Sequence, residues 1–513
     1  EVSPAYGVWI YDMTNDTEKV VITAEQGMVL TDIVALQSRS LPNVIFDKGP
    51  GELDSVWKSE AVGVINIKSV YDFGDTSFNG CFLTACTPAT GINSVADLGD
   101  PANATADQRP ARFVRFVKAA AQPDSNDPVL VNPPDLSPSA FGPLRNLGMR
   151  EIVGYAAVEP DGSVKVKVPA NVPLAIDVLD EFGRRIGPSH ENWFQVRPGD
   201  ITTCTGCHSN NINSNFIHHR SDAKAPSINP GLPAGLVFAN TQIPGTVDAY
   251  WGNFGETMAE IRFDRAGVTV PPSPEPQLSS DIAYLDVWTD PAVRPLDASV
   301  SYRYANLDPS IPSPATSACA PWNFKCRIVI NYQQHIDPMW NIDRGANTCT
   351  ACHTIDNMGA ARVADGQLDL TGGPSDLNAE HLKSYEELLF ADQGEKIEGG
   401  ALVNIQIPQQ LFNIDGTPVL DAMGNPVFIM VDDPAAAVSP SMSANGARFS
   451  YFIEKMTETE LEAIRTLSTA ASDTNYVDHT GFLTDDELRL ISEWLDIGAQ
   501  YFNNPFDPAA PQN

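Results

Sequence analysis

Cys204-Thr-Gly-Cys207-His208 and Cys349-Thr-Ala-Cys352-His353 each place two thiols three residues apart with an imidazole directly after them. That spacing suits covalent haem attachment: the two thiols bond to the porphyrin vinyl groups, and the next histidine reaches the iron from one side. The chain has only eight Cys and eight His in 513 residues, so two chance copies are improbable. The residues therefore imply two covalently attached haem c groups, on Cys204 and Cys207 and on Cys349 and Cys352, with His208 and His353 as proximal iron ligands. A zinc site built from the same cysteines fits poorly, because roughly 140 residues separate the pairs where zinc modules have ~15–20. A thioredoxin-type pair would need a βαβ setting, which the surroundings of Cys204 lack.

The far side of each iron decides function, because a filled sixth position favours electron transfer and an open one permits chemistry. For the second haem the candidate is His479, in "YVDHTGFLTDDELRLI" just before a terminal helix. For the first, the candidates are His335 in "INYQQHIDPMW" and the pair His218 and His219, ten and eleven residues past His208. His190 and His381 read as ordinary hydrogen-bonded histidines. Met339, Met358 and Met442 are further candidates, although a methionine more often fills core.

The other four cysteines form two close pairs, Cys81/Cys86 and Cys319/Cys326. Each can close a local disulfide worth roughly 2 kcal/mol by loop entropy. Disulfides and haem c together predict an exported protein, periplasmic or extracellular. The start at Glu1-Val2-Ser3 reads as a mature terminus without a signal peptide. No run of eighteen apolar residues occurs, so no membrane span is expected. A net charge of -33 argues against nucleic acid as a partner and fits a well-solvated surface.

These residues must be positioned by elements that the pattern partly reveals. "YGVWIYDM", "KVVITA" and "VGVINIKSVYDF" are strand-like runs. "EIVGYAAVEPDGSVKVKVPANVPLAIDVLDEFGRRIG" has turns at Glu159–Gly162 and near Asp180–Gly183, with strict alternation from Val164 to Val168. It predicts a small antiparallel sandwich. Helical patterns begin after Asn331 and recur at 381–391, 457–470 and from Thr484, where Thr484 and Glu487 make a capping box ahead of Leu488, Ile491, Trp494 and Leu495. With 41 prolines and 36 glycines, long irregular connections are expected. The fold class is multidomain α+β: a β-rich domain over 1–130, a small antiparallel β domain over 131–200, a first haem region with long loops over 201–330, and a mainly helical cytochrome c-like domain over 331–513 with the second haem.

The stretch from "LGMREIVG" to "CTGCH" (147–208) resembles the middle domain of the hydrazine synthase alpha subunit family, where a small β domain leads into a CxxCH. "NYQQHIDPMW…CTACH" and "LTDDELRLISEWLDIGAQY" are similar to the family's C-terminal cytochrome part. The resemblance implies that the N-terminal strands are the remnant of a β-propeller-like region. It also implies a second haem held by two histidines, the distal one from near the C-terminus, which His479 matches in placement. In that family the first haem is catalytic and carries a tyrosine ligand shortly after the motif; here "SNNINSNFIHH" follows Cys207-His208-containing "CTGCH" without a tyrosine. The expected function is an exported dihaem c-type cytochrome that transfers electrons to redox partner proteins or further copies of itself, in a larger assembly or haem filament. The alternative is a haem enzyme acting on a small nitrogen compound at the first haem.

Overall fold

A computed structural model of the chain describes residues 7–23, 25, 30, 33, 48–72, 92, 94–120, 149–190, 192–207, 231–236, 238–241, 252–266, 274–375, 378–379, 381–459, 461 and 477–503. The chain divides into two compact units, 1–52 and 53–513. The first contains an antiparallel hairpin of β1 (Gly7–Asp12) and β2 (Thr17–Thr23), joined by a turn in which Asp12 Oδ1 accepts from the Thr14 amide at 2.8 Å. Both runs expected to be strands are strands.

The second unit holds two three-stranded sheets. In one, β3 (Val62–Ile67) lies between β6 (Val164–Pro169), antiparallel, and β8 (Ile201–Cys204), parallel. In the other, β4 (Phe113–Ala119) lies between β5 (Arg150–Ala157) and β7 (Leu174–Leu179), both antiparallel. The valine and isoleucine content favours this pleated, doubly covered setting. The turn at 159–162 forms as its Pro-Asp-Gly predicts, with Gly162 at φ 82° and its amide bonded to the Glu159 carbonyl at 2.8 Å.

Two features depart from a simple antiparallel sandwich. The sheets recruit β3 and β4 from before residue 131, and the β3–β8 pair is parallel. The alternation Val164–Val168 also does not mark a solvent face. Lys165 and Lys167 are buried because carboxylates from other segments cover them: Asp264 at 2.5 Å from Lys165, and Glu60 at 2.9 Å and Glu275 at 2.7 Å from Lys167. A lysine so paired can be buried without an uncompensated charge.

Over 331–503 the helical expectation is met in part. Helical turns occur at Tyr332–Ile336, Pro338–Asn341, Cys349–Cys352, Lys383–Leu389 and Tyr451–Thr457, before the longer Asp485–Asp496. Between residues 392 and 438 the chain instead forms a β arm that the periodicity did not announce. Most of 457–470 lies outside the described residues.

The terminal helix begins at the capping box: Thr484 Oγ1 accepts from the Glu487 amide at 3.2 Å, and Glu487 Oε2 from the Thr484 amide at 2.8 Å. Ile491, Trp494 and Leu495 are buried as their spacing predicts. The opposite face is buried too. Asp496 accepts from Arg115 at 3.1 Å and from the Arg185 amide at 2.9 Å, while Arg115 also holds Asp177 at 2.9 Å. Glu493 accepts from Arg489 at 2.7 Å, Tyr155 at 2.5 Å and Tyr304 at 2.8 Å. Burial works against the charge on Arg115, but Asp177 and Asp496 outweigh it and hold the guanidinium protonated. This ionic layer fastens the helix to β4, β5 and β7. Removing one partner leaves a buried charge uncompensated, so Arg115→Met should lower the unfolding free energy by about 3–5 kcal/mol in urea titrations.

Candidate functional site

The first motif is laid down by a strand. Cys204 closes β8 opposite Ile67, and its carbonyl accepts from the Lys68 amide at 2.9 Å. The chain then turns back along 70–72: the Cys207 amide bonds to the Asp72 carbonyl at 2.8 Å and its thiol to the Val70 carbonyl at 3.3 Å. Gly206 is required between them, since a Cβ there would stand 2.2 Å from the Asp72 carbonyl oxygen. Burial raises the Cys204 thiol pKa, and burial together with Cys204 and Asp72 pushes Cys207 up to about 12. Neither is in a disulfide. His208, His218 and His219 lie outside the described residues.

The second motif is a single helical turn, Cys349–Cys352, with the His353 amide bonded to the Cys349 carbonyl at 2.9 Å. Cys349 is buried and Cys352 exposed; neither is in a disulfide. Arg344, just ahead of the turn, bonds to the Met339 carbonyl at 2.8 Å and to Glu487 at 2.6 Å. The capping-box glutamate of the terminal helix is thereby tied to the segment that leads into the motif.

His479, which precedes that helix by five residues, faces His353 across 6.3 Å between ring centres, with the ring planes inclined by 33°. With an imidazole nitrogen about 2.0–2.1 Å from its metal and the ring centre roughly 1.1 Å beyond, two rings on opposite sides of one metal have centres about 6.3 Å apart. Nδ1 of His479 lies 2.7 Å from the Val477 carbonyl. A carbonyl only accepts, so Nδ1 carries the proton and Nε2 keeps its lone pair, the tautomer that a metal ligand needs. The His479 pKa is lowered, chiefly by burial. His353 is lowered by burial and then by His479, against the Asp365 and Leu368 carbonyls, which favour its protonated form. Two neutral imidazoles at this separation fit a metal between them.

The remaining candidates occupy other settings. His335 is buried, its Nδ1 3.1 Å from the Asn331 carbonyl and 2.9 Å from the Asn331 amide. His381 has Nδ1 2.6 Å from Glu386 and packs on Tyr385 and Tyr501; His190 has Nδ1 2.5 Å from the Asn192 carbonyl. Both are hydrogen-bonded histidines, as their contexts suggested. Met339 and Met442 are core residues, and Met358 projects fully into solvent from a turn at φ 53°. Cys319 and Cys326 are disulfide-bonded, whereas Cys81 and Cys86 lie outside the described residues.

A β domain whose last strand runs into a CxxCH segment defines the class of this region. Residues 116–209 match the hydrazine synthase alpha subunit middle domain, so this segment of the chain is similar to that family's middle domain. Among solved structures, Kuenenia stuttgartiensis hydrazine synthase aligns at 17% identity and a TM-score of 0.38, over 86% of this chain and 44% of that one. An overall likeness so low carries no argument, and this chain spans less than half the length of that protein. No curated protein matches.

One outcome follows from the local geometry. Gly206→Ala should cost about 1–3 kcal/mol in urea unfolding through the clash with Asp72, whereas Gly372→Ala, with no atom within 4 Å of the new Cβ, should stay within about 0.5 kcal/mol.

Proposed function

We propose that the protein is an exported dihaem c-type cytochrome that transfers electrons, with haem c on Cys204 and Cys207 and on Cys349 and Cys352. His208 and His353 are the proximal ligands, and His479 is the distal ligand of the second haem. The observation that carries this reading is the 6.3 Å separation of the His353 and His479 rings directly beside the second CxxCH. Bound haem supplies an iron that cycles between the ferric and ferrous states. The chain's own part is to fix the ligands. Val477 sets the His479 tautomer, Arg344 and Glu487 couple the motif's leading segment to the terminal helix, and the Cys349 helical turn orients His353.

Haem held by both His353 and His479 would leave its iron no open site for a substrate, which would favour relay over catalysis there. The distal side of the first haem is assigned to His335 or to His218 and His219. The same reading makes 331–513 a cytochrome domain built around the second haem, with redox proteins or further copies of the chain as electron partners. The Cys319–Cys326 disulfide supports a location outside the cytoplasm. Among the described residues no helix is long and apolar enough to cross a membrane.

The test is electron paramagnetic resonance of the oxidised protein together with carbon monoxide titration of the reduced protein. Two low-spin haems that resist carbon monoxide are expected, and His479→Ala should convert one of them to high spin. A high-spin haem that binds carbon monoxide in the wild type would instead favour the enzyme reading at the first site. An unchanged His479→Ala spectrum would remove the distal assignment.

A further inference from the structure

The β arm between residues 392 and 438 is a ribbon with no apolar covering. Gln406–Gln410 pairs with Phe428–Asp432, so Ile407, Ile429 and Val431 share one face while Pro408, Phe428 and Met430 share the other. Ile407 and Ile429 are exposed on the first face, Phe428 and Met430 on the second. At the tip two further turns, with Gly416 at φ 81° and Gly424 at φ 84°, raise Phe412, Ile414, Leu420 and Met423 into solvent. Large apolar groups held outward on an ordered scaffold mark an interaction surface.

The charge on the arm says what fits it. Residues 392–438 carry seven carboxylates and a single basic side chain, Lys396, which is bonded to Glu398 at 2.9 Å. Asp415 and Asp421 sit on the two tip turns, where hydrogen bonds from Thr417 and from Asn425 lower their pKa, so both stay ionised. A second copy of this chain, at net charge -33, would bring more negative charge to the same place. The complement is an apolar patch rimmed by lysine or arginine.

The arm is rooted beside the second site. Gln367 clasps the arm at Glu395, donating to its carbonyl at 3.1 Å and accepting from its amide at 2.8 Å. The neighbouring Gly366 lies against the His353 ring, since a Cβ there would stand 4.0 Å from Cε1. We propose that the arm is a docking element for a basic-rimmed redox protein, which it holds on the His353 side of the second site. The docking rests on the arm alone; the electron exchange it serves rests on the haem reading above.

The probe is a lysine-rich monohaem cytochrome c, with binding measured by calorimetry on the full chain and electron exchange measured separately by stopped flow. Wild type should bind at low ionic strength and weaken as salt rises. The variant Phe412→Ser/Ile414→Ser/Leu420→Ser/Met423→Ser should bind at least tenfold more weakly at equal salt, with haem content and unfolding midpoint unchanged. As a second probe of the same surface, Glu398→Gln/Asp432→Asn should reduce the salt dependence. Binding equal to wild type in both variants would overturn the proposal. So would sedimentation showing that wild type self-associates through the arm while the serine variant stays monomeric, or arm-dependent binding to zwitterionic vesicles. Binding without electron exchange would count against the relay reading and leave the docking element standing.

Discussion

The terminal helix is buried on a face that carries charge, and the rest of the second unit depends on how that charge is neutralised. Asp496 and Glu493 are among the most deeply buried carboxylates of the described residues. Each is matched by a guanidinium, Arg115 and Arg489, and by hydroxyl or amide donors that satisfy the remaining lone pairs. Buried ion pairs add little to stability over apolar packing of the same shape, but a partner lost from one is costly. Such a layer tolerates one placement of the helix against β4, β5 and β7. It trades strength for definition.

That definition passes to the candidate site through short connections. The helix N-terminus carries Glu487, which holds Arg344 ahead of Cys349, and the chain just before the helix carries His479. The position of the helix on the β domain thus bears on the gap between two imidazoles. The first motif is placed by a different device, the parallel pairing of β8 on β3, followed by a return along 70–72 that only glycine at 206 permits. One chain positions two similar pentapeptides by unrelated means, a strand end and a helical turn.

The pentapeptides, the capping box and the Pro-Asp-Gly turn were legible because each depends on residues a few positions apart. His479 was legible as a histidine just before a capped helix, although its distance from His353 was not. What the sequence hid depends on partners far away in the chain. Alternating Val and Lys in β6 marked a strand but gave no sign that Asp264, Glu60 and Glu275 would cover its lysines. The amphipathic pattern of the terminal helix likewise concealed that its polar side is an interface. The β arm left a readable trace in the eight-residue echo Gly416-Thr-Pro-Val and Gly424-Asn-Pro-Val, a pair of turn signals between apolar residues. A search for repeats of solenoid length passes over so short a period.

The central claim is that both pentapeptides carry covalent haem, because ligand geometry and relay have meaning only around two irons. Intact mass spectrometry of the denatured protein, purified from a host with a cytochrome c maturation system, addresses it without assumptions about fold or partner. The account predicts a single species heavier than the polypeptide by two haem groups, and by one when Cys349 and Cys352 are both replaced by serine. A wild-type mass equal to the bare polypeptide would contradict it.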